Sequence, residues 1–151
     1  MKIIKNHILY IAWAVSLIAM LVSLYFSNVR NFPPCVLCWY QRICMYPLVL
    51  ILGVGILRKD KNVFDYALPL SIIGWLISVY HNLLYYKIIP ESAAPCVAGV
   101  SCTTQFIEYF GFITIPFLSF LGFSIIIISL LIYRKNQTTQ AWNKPRIRVN
   151  Y

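Results

Sequence analysis

Charged side chains are scarce in this chain, and carboxylates are the scarcest of them. Of its 151 residues only 11% are charged and four are Asp or Glu, whereas 60% are hydrophobic. This balance excludes an ordinary soluble globular domain. The sequence contains no glycine-rich phosphate-binding loop. No acidic residue accompanies the arginine and histidine inside the apolar runs, so general acid–base hydrolysis is not indicated either.

The hydrophobic residues are concentrated in four runs, at about residues 8–27, 38–57, 66–86 and 110–133. A transmembrane helix needs ~20 apolar residues to cross a ~30 Å hydrocarbon core. The second run is uncharged only from Ile43, so it spans only if it begins near Cys38, with Arg42 roughly one turn inside the boundary. The first run lacks a small-residue cleavage site, so we expect it to be retained.

These runs predict one all-α membrane domain, a four-helix transmembrane bundle over residues 1–133. A basic tail, residues 134–151, follows it, and we expect the tail to be poorly ordered. Aromatic residues near the outer boundary fit an interfacial belt and need no cofactor to explain them.

Lysine and arginine are unequally divided between the two sides that four spans would create. Ten of the 13 lie on the side of the termini: Lys2, Lys5, Arg58, Lys59, Lys61, Arg134, Lys135, Lys144, Arg146 and Arg148. The other side has Arg30, Arg42 and Lys87. The richer side is cytoplasmic, so both termini are expected there. The net charge of +9 then reflects topology and contact with membrane lipid, with no nucleic acid partner.

Four of the five cysteines form two close pairs, Cys35-Val-Leu-Cys38 and Cys96-Val-Ala-Gly-Val-Ser-Cys102. Both pairs are predicted on the extracytoplasmic side, where disulfides form and persist. The first follows Pro33-Pro34 and enters the second helix, whose N-terminus favours a thiolate. The second lies in a loop that could reach both a soluble partner and the CxxC. Two dithiols on one face indicate electron transfer through disulfides.

Less reactive roles for the cysteines remain open. Either pair could be a disulfide that only staples its loop, although a four-residue ring gains little from closure. A Cys₄ zinc site would lock all four thiolates, and an oxidising compartment disfavours it, so we expect no metal. Cys44, within the second helix and without a partner, is predicted to pack as a small apolar residue.

Two polar side chains in the spans are candidates for ligand binding. Arg42 follows Cys38 by four residues, so on a helix they share a face. Its guanidinium could stabilise a thiolate or bind a carbonyl oxygen of a redox ligand, or it could reach the headgroups instead. His81, near the outer end of the third span, is a functional candidate because ionisable groups within a membrane are costly. An interhelical hydrogen bond is its alternative role.

The stretch Pro34-Cys35-Val-Leu-Cys38-Trp-Tyr-Gln-Arg42-Ile-Cys-Met-Tyr-Pro47-Leu48 resembles the signature of the DsbB thiol-oxidoreductases. Gly111-Phe-Ile-Thr-Ile-Pro116-Phe-Leu-Ser is similar to the fourth-helix start of the shorter BdbC branch. The resemblance covers nearly the whole chain. This chain departs from the longer form of the family at its second cysteine pair, because it lacks the long insert between the two cysteines.

The resemblance implies a multi-pass protein of the cytoplasmic membrane that reoxidises a DsbA-like thioredoxin-fold partner and reduces the quinone pool. Cys96 would be attacked by the reduced partner, Cys102 would pass electrons to Cys35, and Cys38 would face the quinone, menaquinone or ubiquinone. Arg42 and His81 would help to bind that quinone. The competing interpretations are an enzyme of the vitamin K epoxide reductase type and a disulfide-stapled tetraspan scaffold without catalysis.

Overall fold

The computed structural model describes residues 2–31, 34–90 and 114–142, and every regular element in these ranges is an α-helix. In chain order the helices are α1 (Lys2–Asn28), α2 (Val36–Arg58), α3 (Val63–Tyr85) and α4 (Ile115–Trp142). Each contains a stretch long and apolar enough to cross a membrane, at His7–Asn28, Val36–Arg58, Val63–Tyr85 and Ile115–Gln137. The expectation of an all-α protein with four spans is therefore confirmed.

The helices form a ring in chain order, because α1 packs against α2 and α4, and α3 packs against the same two helices. The centre of the bundle is filled by fully buried apolar side chains, among them Leu48 and Leu52 of α2 and Phe123 and Ile126 of α4. Large apolar side chains also cover much of the outer surface. A soluble protein rarely exposes so much contiguous apolar surface, whereas a bundle surrounded by lipid does.

The helix boundaries differ from the predicted spans by several residues, and two of the differences concern the CxxC and the tail. α2 begins at Val36, with Cys35 as its N-cap, slightly before the predicted start near Cys38. α4 begins at Ile115 and runs to Trp142. Residues 134–142 therefore continue the last helix beyond the predicted span.

Contacts with the α2–α3 turn explain why α4 continues beyond its span. The Gln137 side-chain amide donates a hydrogen bond of 3.0 Å to the carbonyl oxygen of Lys61. The guanidinium of Arg134 lies 4.7 Å from the centre of the Phe64 ring, which is a cation–π distance. These contacts attach the helical extension to the turn.

The α2–α3 turn is a tight reversal at the end opposite the CxxC. Lys59 adopts a left-handed conformation with φ of 52°, and the backbone N–H of Asp60 donates to the carbonyl of Gly55 at 2.9 Å. The Asp60 carboxylate accepts hydrogen bonds from the Tyr66 hydroxyl and from the Asn62 backbone N–H. Both hydrogen bonds lower the pKa of Asp60, and the bond from Tyr66 has the larger effect.

Close packing between α3 and α4 depends on a glycine. A Cβ at Gly74 would lie 2.3 Å from two ring carbons of Phe123, so no larger residue fits without movement. Beside this contact the Trp75 indole N–H donates to Ser124 Oγ at 3.0 Å. Small residues allow such close approach of helices in membranes, and polar side chains link them. The contact fixes α4 next to the helix that carries His81.

Candidate functional site

Four of the six predicted site residues come together at one end of the bundle, where α2 begins and α3 ends. Cys35, Cys38, Arg42 and His81 all line one cavity there. Cys96 and Cys102 belong to the segment that joins α3 to α4 at this same end, and they lie outside the described residues. The roles expected for them remain predictions.

The CxxC dithiol occupies the first turn of α2. Cys35 is the N-cap, and its sulfur accepts a hydrogen bond of 3.4 Å from the backbone N–H of Cys38. The two sulfurs lie 3.0 Å apart. Cys35 is buried beside Leu37 and Leu84, whereas Cys38 is half-buried and lines the cavity. Sulfurs this close need only a small movement to close a disulfide, for which the S–S bond is about 2.05 Å.

Cys35 is in an environment that favours its thiolate. The hydrogen bond from the Cys38 side chain lowers the pKa of Cys35 most, while burial acts in the opposite direction. Hydrogen bonds with His81 and with the Cys38 backbone also lower it. The expectation that the start of the second helix favours a thiolate therefore has a specific structural basis.

His81 lies directly beside the dithiol and takes part in a chain of polar contacts. It is 2% exposed, and its Nε2 is 3.8 Å from the sulfur of Cys35. Its Nδ1 is 3.3 Å from the side-chain nitrogen of Gln41. The oxygen of the Gln41 amide accepts a hydrogen bond of 2.9 Å from the hydroxyl of Ser119. His81 thus makes the interhelical contact that was its alternative role, and its role in ligand binding stays a prediction.

Gln41 and Ser119 were not predicted from the sequence. Gln41 is 7% exposed although it lies in a membrane span. A buried polar side chain is costly without hydrogen-bond partners. The signal available in the sequence was therefore the presence of a glutamine within an apolar run. The partners themselves come from α3 and α4, which are distant in the chain, so the sequence alone could not identify them.

Arg42 is held by α1 rather than by the cysteines. Its guanidinium donates to the carbonyl of Ser23 at 3.1 Å and to the hydroxyl of Ser27 at 3.4 Å. It also lies 5.6 Å from the centre of the Trp39 ring. Two of its donors therefore point into the protein, and the side chain lines the same cavity as Cys38. Simple extension to the headgroups does not describe this arrangement.

Cys44 packs in the apolar core of the bundle and is 5% exposed. Its place beside Leu48 and Met45, in the cluster that also contains Phe123, matches the predicted apolar role. It is not among the residues that line the cavity.

The cavity beside the dithiol has a volume of about 500 Å³ and is bounded by all four helices. Its walls are mainly apolar side chains of α1 and α4, and its polar groups lie near the CxxC. Ile18 and Leu118, which line it from α1 and α4, are 60% and 48% exposed, so the cavity opens between these helices. Pockets of ~300–1,000 Å³ suit small organic ligands, and this cavity lies within that range.

The dithiol and His81 together could also hold a soft metal ion. One ligand atom from each of Cys35, Cys38 and His81 lies within 4.8 Å of the others. A structural zinc site takes four protein ligands, and the described residues supply three here. The arrangement is better suited to a dithiol that cycles between reduced and oxidised states.

Fold and site together define a class of protein, a tetraspan membrane protein with a redox-type dithiol beside an apolar cavity. Residues 5–133 match the family described as "Disulfide bond formation protein DsbB". The chain therefore belongs to the DsbB family, as the resemblance predicted. It is a multi-pass membrane disulfide oxidoreductase that acts with a thiol–disulfide partner protein.

Curated relatives support the same assignment over nearly the full length. "Disulfide bond formation protein C" of Bacillus subtilis is 53% identical over 132 residues, which cover 86% of this chain and 96% of that protein. "Probable disulfide formation protein C 2" of Bacillus anthracis is 51% identical over 145 residues, covering 95% and 100%. "Probable disulfide formation protein C" of Halalkalibacterium halodurans is 54% identical, covering 82% and 91%. No solved structure matches the chain.

Proposed function

We propose that this protein oxidises an extracytoplasmic DsbA-like thioredoxin-fold partner and transfers the electrons to a membrane quinone. The observation that carries the proposal is the position of the CxxC, whose half-buried Cys38 lines an apolar cavity of about 500 Å³ together with Arg42. A dithiol at this position can exchange with protein thiols and also meet a lipid-soluble acceptor. The names of the relatives, which concern disulfide formation, favour this over epoxide reduction or a stapled scaffold.

The relay begins with the cysteine pair in the α3–α4 connection. A thiolate of the partner attacks Cys96, the Cys96–Cys102 bond breaks, and the second partner thiol displaces Cys96 to leave the partner oxidised. Cys102 then attacks Cys35, the Cys35–Cys38 bond opens, and Cys96 resolves the new bond. The net result moves two electrons and two protons from the partner dithiol to Cys35 and Cys38.

The residues around the cavity would bind the acceptor and supply the dithiol. A bound quinone would take up two electrons and two protons and leave as the quinol. Arg42 would donate hydrogen bonds to a carbonyl oxygen, since its guanidinium has five N–H donors and two already bind α1. Cys38 faces the ligand space, and Cys35 is favoured as a thiolate. The quinone type, menaquinone or ubiquinone, is left open.

The location of this chemistry is part of the proposal. Ten of the 13 lysines and arginines lie on the side of the termini, so that side would be cytoplasmic. Both cysteine pairs would then face the oxidising exterior of the cell membrane, where a DsbA-like partner works.

Quinone absorbance tests the proposal directly. Purified protein in lipid nanodiscs is mixed with a quinone and a reduced thioredoxin-fold thiol oxidase. We expect one quinone to be reduced for each partner disulfide formed, and no reduction with Cys38→Ser. Cys44→Ser, which alters a core cysteine, is the matched control and keeps most of the activity. Partner oxidation without loss of quinone absorbance would reject the quinone as acceptor.

A further inference from the structure

Gln41 is a buried polar residue in the wall of the cavity, and the proposed relay does not use it. It belongs to α2, yet its amide contacts His81 of α3 on one side and Ser119 of α4 on the other. Both ends of the amide are therefore engaged, which compensates the cost of burying it in a span. The direction of these hydrogen bonds determines which nitrogen of His81 carries a proton.

The hydroxyl of Ser119 sets that direction. Its oxygen is 2.9 Å from the Gln41 side-chain oxygen and 3.0 Å from the carbonyl oxygen of Pro116. The Pro116 carbonyl already accepts a hydrogen bond of 2.9 Å from the side-chain amide of Asn82. Since the Pro116 carbonyl already has the Asn82 amide as a donor, we assign the single hydroxyl hydrogen of Ser119 to the nearer acceptor, the Gln41 side-chain oxygen.

An amide whose oxygen accepts from Ser119 presents its NH₂ group to His81. The Nδ1 of His81, 3.3 Å away, must then act as an acceptor and carry no hydrogen. A neutral imidazole has one hydrogen, which consequently lies on Nε2, the nitrogen 3.8 Å from the Cys35 sulfur.

We propose that Gln41, anchored by Ser119, is a positioning residue that fixes the tautomer of the His81 imidazole with its hydrogen on Nε2. In this state His81 donates a hydrogen bond to the Cys35 sulfur and cannot take the Cys35 proton at that nitrogen. The imidazole then supports the thiolate as a fixed donor and does not serve as its base. The inference deepens the proposed function at the same site, but it concerns the reduced dithiol alone.

Magnetic resonance of ¹⁵N-labelled histidine in the reduced protein tests this assignment. The chain has two histidines, so the His7→Gln variant assigns the signal of His81. We expect the neutral imidazole to carry its hydrogen on Nε2 and to have a bare Nδ1. Gln41→Glu should put a hydrogen on Nδ1, since a carboxylate oxygen accepts from that nitrogen and cannot donate to it. Ser119→Ala, which frees the amide to turn, should give a mixture of the two tautomers.

Gln137→Glu is the matched control, because Gln137 binds the α2–α3 turn at the other end of the bundle, and it should leave the His81 signals unchanged. A hydrogen on Nδ1 in the unaltered protein, or identical signals in Gln41→Glu, would overturn the inference. Neither partner nor quinone enters the measurement. Failure of the proposed function and failure of this inference are therefore distinguishable.

Discussion

At the scale of single residues, the position of Cys35 as the N-cap of α2 favours its thiolate form. Donors from Cys38 and His81 surround its sulfur and lower its pKa. A depressed pKa means that the thiolate stabilises the fold above the unfolded pKa of about 8.5, and that this contribution is lost as the pH falls through the folded value. The reduced protein should therefore lose stability in acid more than the oxidised protein does.

Alkylation of the reduced protein measures the same property. With limiting iodoacetamide, labelling of Cys35 should remain fast below about pH 7, where an ordinary thiol is mostly protonated. Cys38→Ala removes the largest cause of the depressed pKa, so it should move the midpoint toward about 8.5. Buried Cys44 serves as the internal control in the same mass spectra. A Cys35 midpoint near 8.5 in the unaltered protein would contradict the site geometry.

Arg42 should affect the acceptor step and leave disulfide formation intact. Arg42→Ala removes a guanidinium that lines the cavity, and a hydrogen bond to a charged group contributes ~1.5–3 kcal/mol. We expect the quinone KM to rise roughly tenfold to a hundredfold, since 1.4 kcal/mol is about a factor of ten. Arg42→Lys should restore part of the effect, because a point charge lacks the planar fork of donors.

Steady-state kinetics at varied quinone concentration provide the test for Arg42. Lys87→Ala, which removes an exposed cation near the end of α3, is the matched control. Equal KM and kcat for the unaltered protein and Arg42→Ala would contradict a role in quinone binding. Arg42 would then have only a structural role, through its contacts with α1.

At the scale of helices, the α3–α4 contact should tolerate no added atom at Gly74. In Gly74→Ala the new Cβ would meet the Phe123 ring at 2.3 Å, and overpacking of this kind costs ~1–3 kcal/mol. Gly122→Ala is the matched control, since a Cβ there would have no neighbour within 4 Å. Thermal unfolding in detergent should lower the midpoint for Gly74→Ala alone. Equal unfolding midpoints for both variants would contradict this prediction. They would mean that the α3–α4 contact accommodates the added methyl group without loss of stability.

The helices were predictable from the sequence because length and hydropathy determine spans in a membrane. Contacts between helices were not, as three residues illustrate. Arg42 was predicted beside the dithiol, but its bonds to Ser23 of α1 depend on packing. The environment of Gln41 was missed because its partners lie on other helices. The helical continuation beyond residue 133 was missed because the polar composition of the tail gives no sign of the Gln137–Lys61 contact.

At the scale of the whole molecule, the chain crosses the bundle so that both cysteine-bearing segments emerge at one end. Cys35 caps α2 there, and the connection from α3 to α4, which carries Cys96 and Cys102, leaves from the same end. The proposed relay would then pass electrons between segments at this one end and would need no electron carrier through the bundle.

The order of that relay is the final prediction, and replacing a resolving thiol should trap each exchange. In Cys102→Ser, the Cys96 thiolate attacks a partner that has a single active-site cysteine, added as its mixed disulfide with thionitrobenzoate, and releases that small thiolate. The Cys96–partner bond then persists because neither Cys102 nor a second partner thiol is present to displace it. In Cys38→Ser, the free Cys35 thiolate attacks Cys102, which forms a Cys35–Cys102 bond and releases Cys96. Digestion without reductant followed by mass spectrometry identifies both bonds, and Cys44→Ser should show neither. A partner trapped on Cys35 would mean that electrons enter at the CxxC, which would leave the Cys96–Cys102 pair as a staple.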